Sequence, residues 1–476
     1  MPTNLKRILI LSLVFGSLIS FALQSDQVSP RSWIRNSLGS MAAKGLLNIP
    51  SRLLFSDGVF SRGEIAILLK DLINKAENEP WDFSDEDFFV LGKLIDEFSQ
   101  ELEALNVNIK DVKEKLELSY YQNIFIGGRF AGIAHYDSDN DESDSKLLYR
   151  VSSFIPLSHG FTYFSASNER RWLAKKPSDF SLLDSAIAKI PFWDADWEIG
   201  RGYVRLGPGY VSSVWLSDNP PPYDYLLFSK NFKIGSWGFF NFKQFHTTYS
   251  SNGIRRYYIA RRIEKTLKDW DFALYDIHFS DQFPSLFAFV PILPLYAVQY
   301  FWENDYNVNV IMGLEVAKNF PNGAIYGDWF VDDITTYPHH VPRKTALLLG
   351  GRKKCKDFTF HLEYFYADNE TYTHKDPNDD YLYKGYPMGF PLGRDSRGIF
   401  TRVDFHKNPP FIFQIARTTQ LKSSPSPIKI TELSLLLPYD MGTDKSLTLG
   451  IRHQKVTSGG KEENNIIGEL RVEYNF

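Results

Sequence analysis

Residues 469–476 read Glu-Leu-Arg-Val-Glu-Tyr-Asn-Phe. Leu470, Val472, Tyr474 and Phe476 face one way, and Arg471, Glu473 and Asn475 face the other. A period of two is the mark of a strand with unlike faces. The same alternation recurs upstream. Phe358, Phe360, Leu362, Tyr364 and Tyr366 share a face against Thr359, His361 and Glu363, and Leu447, Leu449 and Ile451 alternate with Thr448, Gly450 and Arg452. A soluble β-sandwich turns its apolar face into a core, whereas a membrane barrel turns it to lipid and keeps the polar face for the lumen. Three features favour the membrane: an export signal, strands of about nine or ten residues with aromatic ends, and a terminal strand closing on an aromatic residue. Mean hydropathy of −0.27 agrees, because barrels hide their hydrophobicity by alternation. Residues 119–476, at roughly 20 residues per strand and connection, predict a mainly β chain forming a transmembrane antiparallel barrel of about 16–18 strands.

The other signals surround this body. Residues 1–22 read as a signal peptide, with Lys6 and Arg7 before an apolar run and Ser20 and Ala22 placed for cleavage. No later stretch reads as a membrane helix; the best attempt, residues 283–300, holds three prolines, a Ser and a Gln. The single Cys355 excludes disulfide frameworks and Cys-based zinc sites. A net charge of −4 argues against nucleic acid as a partner.

Residues 23–118 predict a small helical head on the periplasmic side. Trp33 to Leu47 has helical apolar spacing, Ser61 and Glu64 suit a capping box opening the next helix, and Ser84 with Asp87 opens a third. Trp33, Leu38, Met41, Gly45, Leu46 and Leu47, then Asp57-Gly58, Phe60 and Ser61-Arg62-Gly63-Glu64, resemble one S-layer homology motif. That resemblance implies cell-wall polymer as a partner, with Trp33, Asp57, Arg62 and Glu64 as contacts; the other reading is an ordinary helical hairpin. Leu102, Leu105, Ile109, Val112 and Leu116 follow heptad spacing, which suits a short coiled coil or one face of a packed helix.

Within the body, Gly200-Arg201, Arg205-Leu206-Gly207-Pro208-Gly209-Tyr210 and Leu216-Ser217-Asp218-Asn219-Pro220-Pro221-Pro222-Tyr223 run in order. Further on come Tyr258-Ile259-Ala260-Arg261-Arg262-Ile263-Glu264, Tyr326-Gly327-Asp328-Trp329-Phe330-Val331-Asp332-Asp333 and Gly389-Phe390-Pro391-Leu392-Gly393-Arg394-Asp395. Together these resemble the capsule assembly protein Wzi family, with Leu206, Arg261 and Phe390 departing from its usual Trp, His and His. The resemblance implies an outer-membrane barrel of about 18 strands that helps assemble or attach capsular or exopolysaccharide without being an enzyme. The alternative is a porin-type channel tethered by its head.

Lipid-facing charge costs about 2–4 kcal/mol at the midplane. Arg201, Arg205, Arg256, Arg262 and Glu264 should therefore point inward, pairing with acids such as Asp332, Asp333 or Glu198, as a brace of the lumen or as a contact for anionic sugar. Arg255 and Arg261 have the opposite parity, so one end of their strand should leave the membrane or bulge. Trp215, Tyr223, Tyr225, Tyr372, Tyr381, Tyr383 and Tyr386 lie in Pro-, Gly- and Asp-rich segments; they are candidates for sugar stacking or for interfacial anchoring. Asp137, Asp139 and Asp141 have partial calcium-loop spacing, and His339-His340 sits by prolines, but both read better as loops. No catalytic motif is present and no cofactor or metal is implied; surface polysaccharide and outer-membrane lipid are the partners the sequence suggests.

Overall fold

The computed structural model describes residues 26–29, 32–47, 60–116, 125–137, 142–157, 160–167, 183–235, 238–251, 254–290, 293–302, 308–320, 322–332, 344–374, 380–407, 409–441 and 445–475. The signal segment, Asp57, Asp333, Phe476, Asp139, Asp141 and the His339-His340 pair lie outside them.

Eighteen antiparallel strands close into one barrel. They are β1 Phe125–Asp137, β2 Glu142–Leu157, β3 Gly160–Ser167, β4 Leu183–Pro191, β5 Asp196–Gly202 and β6 Tyr223–Ile234. Then come β7 Gly238–Ser251, β8 Ile254–Leu267, β9 Trp270–Ser280, β10 Val308–Phe320, β11 Gly323–Val331 and β12 Thr345–Lys354. The last are β13 Phe358–Ala367, β14 Ser396–Phe405, β15 Phe411–Gln420, β16 Ile428–Asp440, β17 Lys445–Ser458 and β18 Lys461–Asn475. Sequence neighbours pair throughout, and β18 closes on β1 from Ile467↔Asp137 to Asn475↔Arg129. Closure leaves no free edge, which is what a bilayer demands of strands. One end of the barrel carries only tight connections, among them 158–159, 192–195, 268–269 and 355–357. The other carries the long ones, 168–182, 203–222, 281–307, 332–344 and 368–395.

Burial is inverted relative to a soluble protein. On the last strand Leu470, Val472 and Tyr474 are exposed, and Leu274, Ile325, Leu362, Ile399 and Ile451 form part of the same outer belt. His361, Glu363 and Phe365 of β13 are buried, while Phe358 and Leu362 on the opposite parity are exposed. Aromatic side chains gather toward the tight-turn end, including the stacked pairs Trp270–Phe272, Phe405–Phe411 and Phe232–Phe240. That is where an interfacial girdle belongs.

The head comprises α1 Trp33–Ala43, α2 Arg62–Asn78, α3 Asp85–Glu97, α4 Ser99–Ala104 and α5 Ile109–Lys115. Ser61 and Ser84 each form a reciprocal capping box, with Glu64 and Asp87. Gly45, at φ 77°, ends α1 as a residue free of a Cβ can. The heptad spacing is not one helix. Asn106 takes φ 61° and Asn108 caps a new helix, so Leu102, Leu105 and Val112 point into the head's own core from two short helices.

The head docks on the tight-turn end. Trp33 packs edge-on against Phe161 of β3 at 5.0 Å and Phe154 of β2 at 6.0 Å. Arg62 is held by Glu97 at 2.7 Å and Glu101 at 2.5 Å. Glu64 pairs with Arg352 of β12, and Glu97 with Lys189 of β4. The three described residues read as cell-wall contacts are thus corrected. Trp33 is buried against the barrel, Arg62 is half-buried in an ion-pair cluster, and Glu64 is divided between its cap and the barrel wall. Truncating Trp33 to Ala should weaken docking by about 3–5 kcal/mol; limited proteolysis should then cut the head well before the barrel, and an unchanged digestion pattern would contradict this packing.

Burial would raise the Glu97 carboxyl, but Lys189 and Arg62 beside it hold it down to about 2. A depressed acid stabilises above its unfolded value near 4.5 and ceases to do so as pH falls through 2. The head should therefore stay protease-protected at pH 4 and become labile only toward pH 2. Undocking already near pH 5 would show that Glu97 is not so held.

Candidate functional site

Two of the long connections fold inward and occupy the lumen along the inner face of β7–β13. The first, residues 203–222, leaves β5 at Gly202 and returns at Tyr223. Gly207, at φ 120°, makes a turn whose carbonyl accepts from Gln27 of the N-terminal segment at 3.2 Å. A Cβ on Gly209 would lie 2.0 Å from the Ser212 carbonyl and 2.5 Å from Leu348, so the chain passes too close for any side chain. Deeper along the connection, Trp215 stacks on Tyr275 of β9 at 4.6 Å and 13° and donates Nε1–H to Glu315 of β10 at 2.6 Å. The amides of Tyr210 and Val211 donate to the Glu363 carboxylate at 2.6 and 3.1 Å. Arg205 donates to the carbonyls of Gly209 and Tyr210.

The second connection, residues 368–395, packs over the first. Tyr372 and Tyr381 donate their hydroxyls to the Val214 and Trp215 carbonyls, each at 2.6 Å. Ser217 bonds the Met388 carbonyl through N–H at 2.8 Å and the Gly389 carbonyl through its hydroxyl at 2.7 Å. Phe390 stacks on Phe365 of β13 at 3.9 Å. These side-chain-to-backbone bonds satisfy irregular backbone that is buried away from water.

Charge is laced through this packing. Arg262 of β8 binds Asp26 at 2.8 Å, Glu264 at 2.6 Å and Glu315 at 2.6 Å, all nearly without solvent contact. Asp26 accepts from Lys243 at 3.4 Å, and its carbonyl accepts from the Arg62 amide at 2.8 Å. Asp26 therefore joins head and barrel wall, and its neighbour Gln27 joins the plug. Between head and plug lies a polar cavity of about 170 Å³, with Arg62, Glu97, Lys189, Glu198, Arg205 and Lys243 in its lining.

The residues singled out in the sequence fall into distinct places. Arg256, Arg262 and Glu264 point inward and are buried. Arg205 is also in the lumen, on the inward connection instead of a strand. Arg262 is paired with Asp26, Glu264 and Glu315, not with Asp332 or Glu198. Asp332 instead binds Asn309 at 3.1 Å and the Tyr372 amide at 2.9 Å, and Glu198 binds the Tyr225 hydroxyl. Arg201 is a correction: it shares the outer parity with Ile199 and forms a bidentate pair with Asp224 at 2.6 and 2.7 Å on the long-loop rim. Arg261 is another: β8 pairs without a bulge from Ile254 to Leu267, and Arg261 faces outward beneath a covering connection, while the exposed Arg255 stands at the strand's long-loop end.

Six of the seven aromatics read as sugar platforms, Trp215, Tyr223, Tyr225, Tyr372, Tyr381 and Tyr383, are at most 5% exposed. They pack the plug and leave no ring face for a sugar or an interface. Only Tyr386 reaches the surface, beside the exposed turn Lys384-Gly385 of a short hairpin that pairs Tyr383 with Tyr386. Tyr383 accepts from the Asp224 amide at 3.2 Å, which ties this hairpin to the Arg201–Asp224 pair. Sequence reasoning missed Asp26, Glu315, Asp328 and Tyr275. Strand parity could have flagged Glu315, but nothing near Asp26 marks it as entering a lumen.

A closed antiparallel barrel, apolar outside and charged inside, defines the class as a transmembrane β-barrel with the outer-membrane fold. Among solved structures the chain is similar to Wzi of Escherichia coli, an outer membrane protein involved in group 1 capsule assembly and a carbohydrate-binding β-barrel. Identity is 16% and the TM-score 0.57, over 94% of this chain and 98% of that one. It also resembles Pseudomonas aeruginosa OprD (10% identity, TM-score 0.44, covering 75% of this chain and 96% of that one) and OccK5 (9%, 0.46, 75% and 99%). At these identities the likeness is one of fold. No family model and no curated protein matches the sequence.

Proposed function

We propose that this protein is a non-enzymatic outer-membrane barrel that binds surface polysaccharide at its long-loop mouth and helps assemble or hold it on the cell. The observation that carries this reading is the plug: two laced connections occupy, along β7–β13, space that a porin leaves to water. Outer-membrane barrels have short periplasmic turns and longer extracellular loops. That rule places the head in the periplasm and the Arg201–Asp224 rim with the Lys384–Tyr386 turn outside the cell. Whole-length fold similarity to a carbohydrate-binding barrel supports the ligand class. The exposed Lys384 ammonium and the Tyr386 ring suit an acidic, ring-bearing polymer.

The test is the ratio of cell-attached to released polysaccharide with and without the gene. Deletion should shift polymer into the medium, and complementation with a K384A/Y386A double variant should restore less attachment than the wild type. An unchanged ratio on deletion would remove this reading. Equal rescue by the double variant would move the contact elsewhere on the mouth.

A further inference from the structure

The described part of the connection from β9 to β10 does not enter the lumen. Its residues 281–290 and 293–302 lie over the outer wall, with a turn of helix, Leu286–Phe289, and an eight-residue helix, Leu295–Trp302. Beneath it the wall is polar where lipid would be expected. Arg261 of β8 and Asp276 of β9 are direct cross-strand partners on the outward parity, joined at 3.0 Å, and His278 lies two residues further along the same face. The connection engages this patch at three points. The Val290 carbonyl accepts from Arg261 at 2.8 Å, the Leu295 amide donates to Asp276 at 2.8 Å, and Phe289 stacks on His246 of β7 at 5.2 Å and 5°. Ala288, Leu295 and Val298 seal it against Ile259, leaving no exposure at His278.

Depth follows from the strand. Asp276 lies six positions beyond the girdle residue Trp270, about 15 Å along the barrel axis at about 3.3 Å per residue and a tilt of about 40°. An apolar band about 25 Å tall therefore includes it. Leu274, one outward step nearer the girdle, is bare and 58% exposed. The other face of the connection continues that bare wall, with Leu286 79% and Phe301 67% exposed and Tyr296 beside them. From Phe283 to Trp302 there is no Asp, Glu, Lys or Arg, whereas Asp281 and Glu303 flank the stretch. Pro284 and Pro294 bring no N–H, and the amides of Ala288, Val290, Ala297 and Val298 are paired within the segment. A segment so composed leaves little backbone to hydrate.

We infer that residues 283–290 and 293–302 form a flap immersed in the outer half of the bilayer, with Leu286, Tyr296, Phe301 and Trp302 in contact with lipid acyl chains while its inner face shields the Arg261–Asp276 pair. The inference rests on the membrane reading of the barrel, and its test separates the two.

With Cys355 replaced by Ala, a single Cys is placed at Leu286, Phe301, Leu274 or Lys384 of the full chain. Each is spin-labelled and reconstituted in phosphatidylcholine vesicles, with folding checked by heat-modifiable migration. Collision rates with oxygen and with a water-soluble nickel chelate are then compared. Labels at Leu286 and Phe301 should match Leu274, high for oxygen and low for nickel, and oppose Lys384. Nickel access at both flap positions with lipid access at Leu274 would overturn the flap alone. Low access to both reagents at the flap would also overturn it, showing a protein contact such as a second copy. Nickel access at Leu274 would overturn the membrane reading together with the flap.

Discussion

Replacing Arg262 by Gln should be among the most damaging single changes in the protein. The guanidinium is 3% exposed and holds three carboxylates, Asp26, Glu264 and Glu315. Without it Lys243, 3.4 Å from Asp26, is the nearest described cation left to offset them. Breaking a buried ion pair by removing one partner costs about 3–5 kcal/mol, because the partners stay dry and charged. The damage should spread, since Asp26 also takes the Arg62 amide and the adjacent Gln27 bonds the plug at Gly207. The expected result is a markedly lower temperature for loss of the compact, fast-migrating form in heat-modifiability gels, with the head exposed to protease. A triple variant R262Q/E264Q/E315Q should recover part of the loss, because neutral amides cost less to bury than unpaired charge. A wild-type melting profile for R262Q would show that this cluster does not hold the plug.

The second large effect concerns conduction. In planar bilayers the full chain should give no steady single-channel current, because Trp215, Tyr372, Tyr381 and Phe390 occupy the lumen. Removing the head alone should leave it closed, since both connections are tied to the wall through Glu315, Glu363 and Phe365. Excising the two inward connections as well should raise conductance by roughly an order of magnitude or more, since empty barrels of 16–18 strands enclose an aqueous channel. Steady conductance of the intact chain would favour the porin alternative and undercut polysaccharide holding as the main role.

The same facts show which features were legible before any fold was known. Alternation at 470–474 and 358–366 reads out the inner and outer faces, because a strand's side chains obey a period of two wherever the strand goes. The capping boxes at Ser61 and Ser84 are equally local, with both partners within four residues. Inward placement of Arg256, Arg262 and Glu264 follows from parity and the cost of charge in lipid.

Parity failed where the chain ceased to be a bare strand. Arg201 sits at a rim where outward charge meets headgroups and water, so the rule that forbids it does not apply. Arg261 is outward at hydrocarbon depth and tolerated because Val290 and Leu295, from a distant connection, complete its environment. The aromatic segments misled for a related reason. Proline, glycine and aspartate mark a turn-rich connection but do not say whether it folds out into water or back into the barrel. That choice rests on Trp215 meeting Tyr275 and Glu315, and Tyr381 meeting Tyr258 at 2.5 Å, contacts across a hundred residues or more apart from the Trp215–Tyr275 stack.

The sequence alone therefore determined the class of the protein: a barrel, its approximate size, its two faces and a helical head, each written in short-range periodicity and solvation. Only the tertiary structure decided that two connections fold into the lumen, that the head is docked through Trp33 and Asp26, and that one apolar connection lies against the outer wall. Those outcomes depend on which distant surfaces meet, and pairing between distant side chains leaves no period in the chain that encodes it.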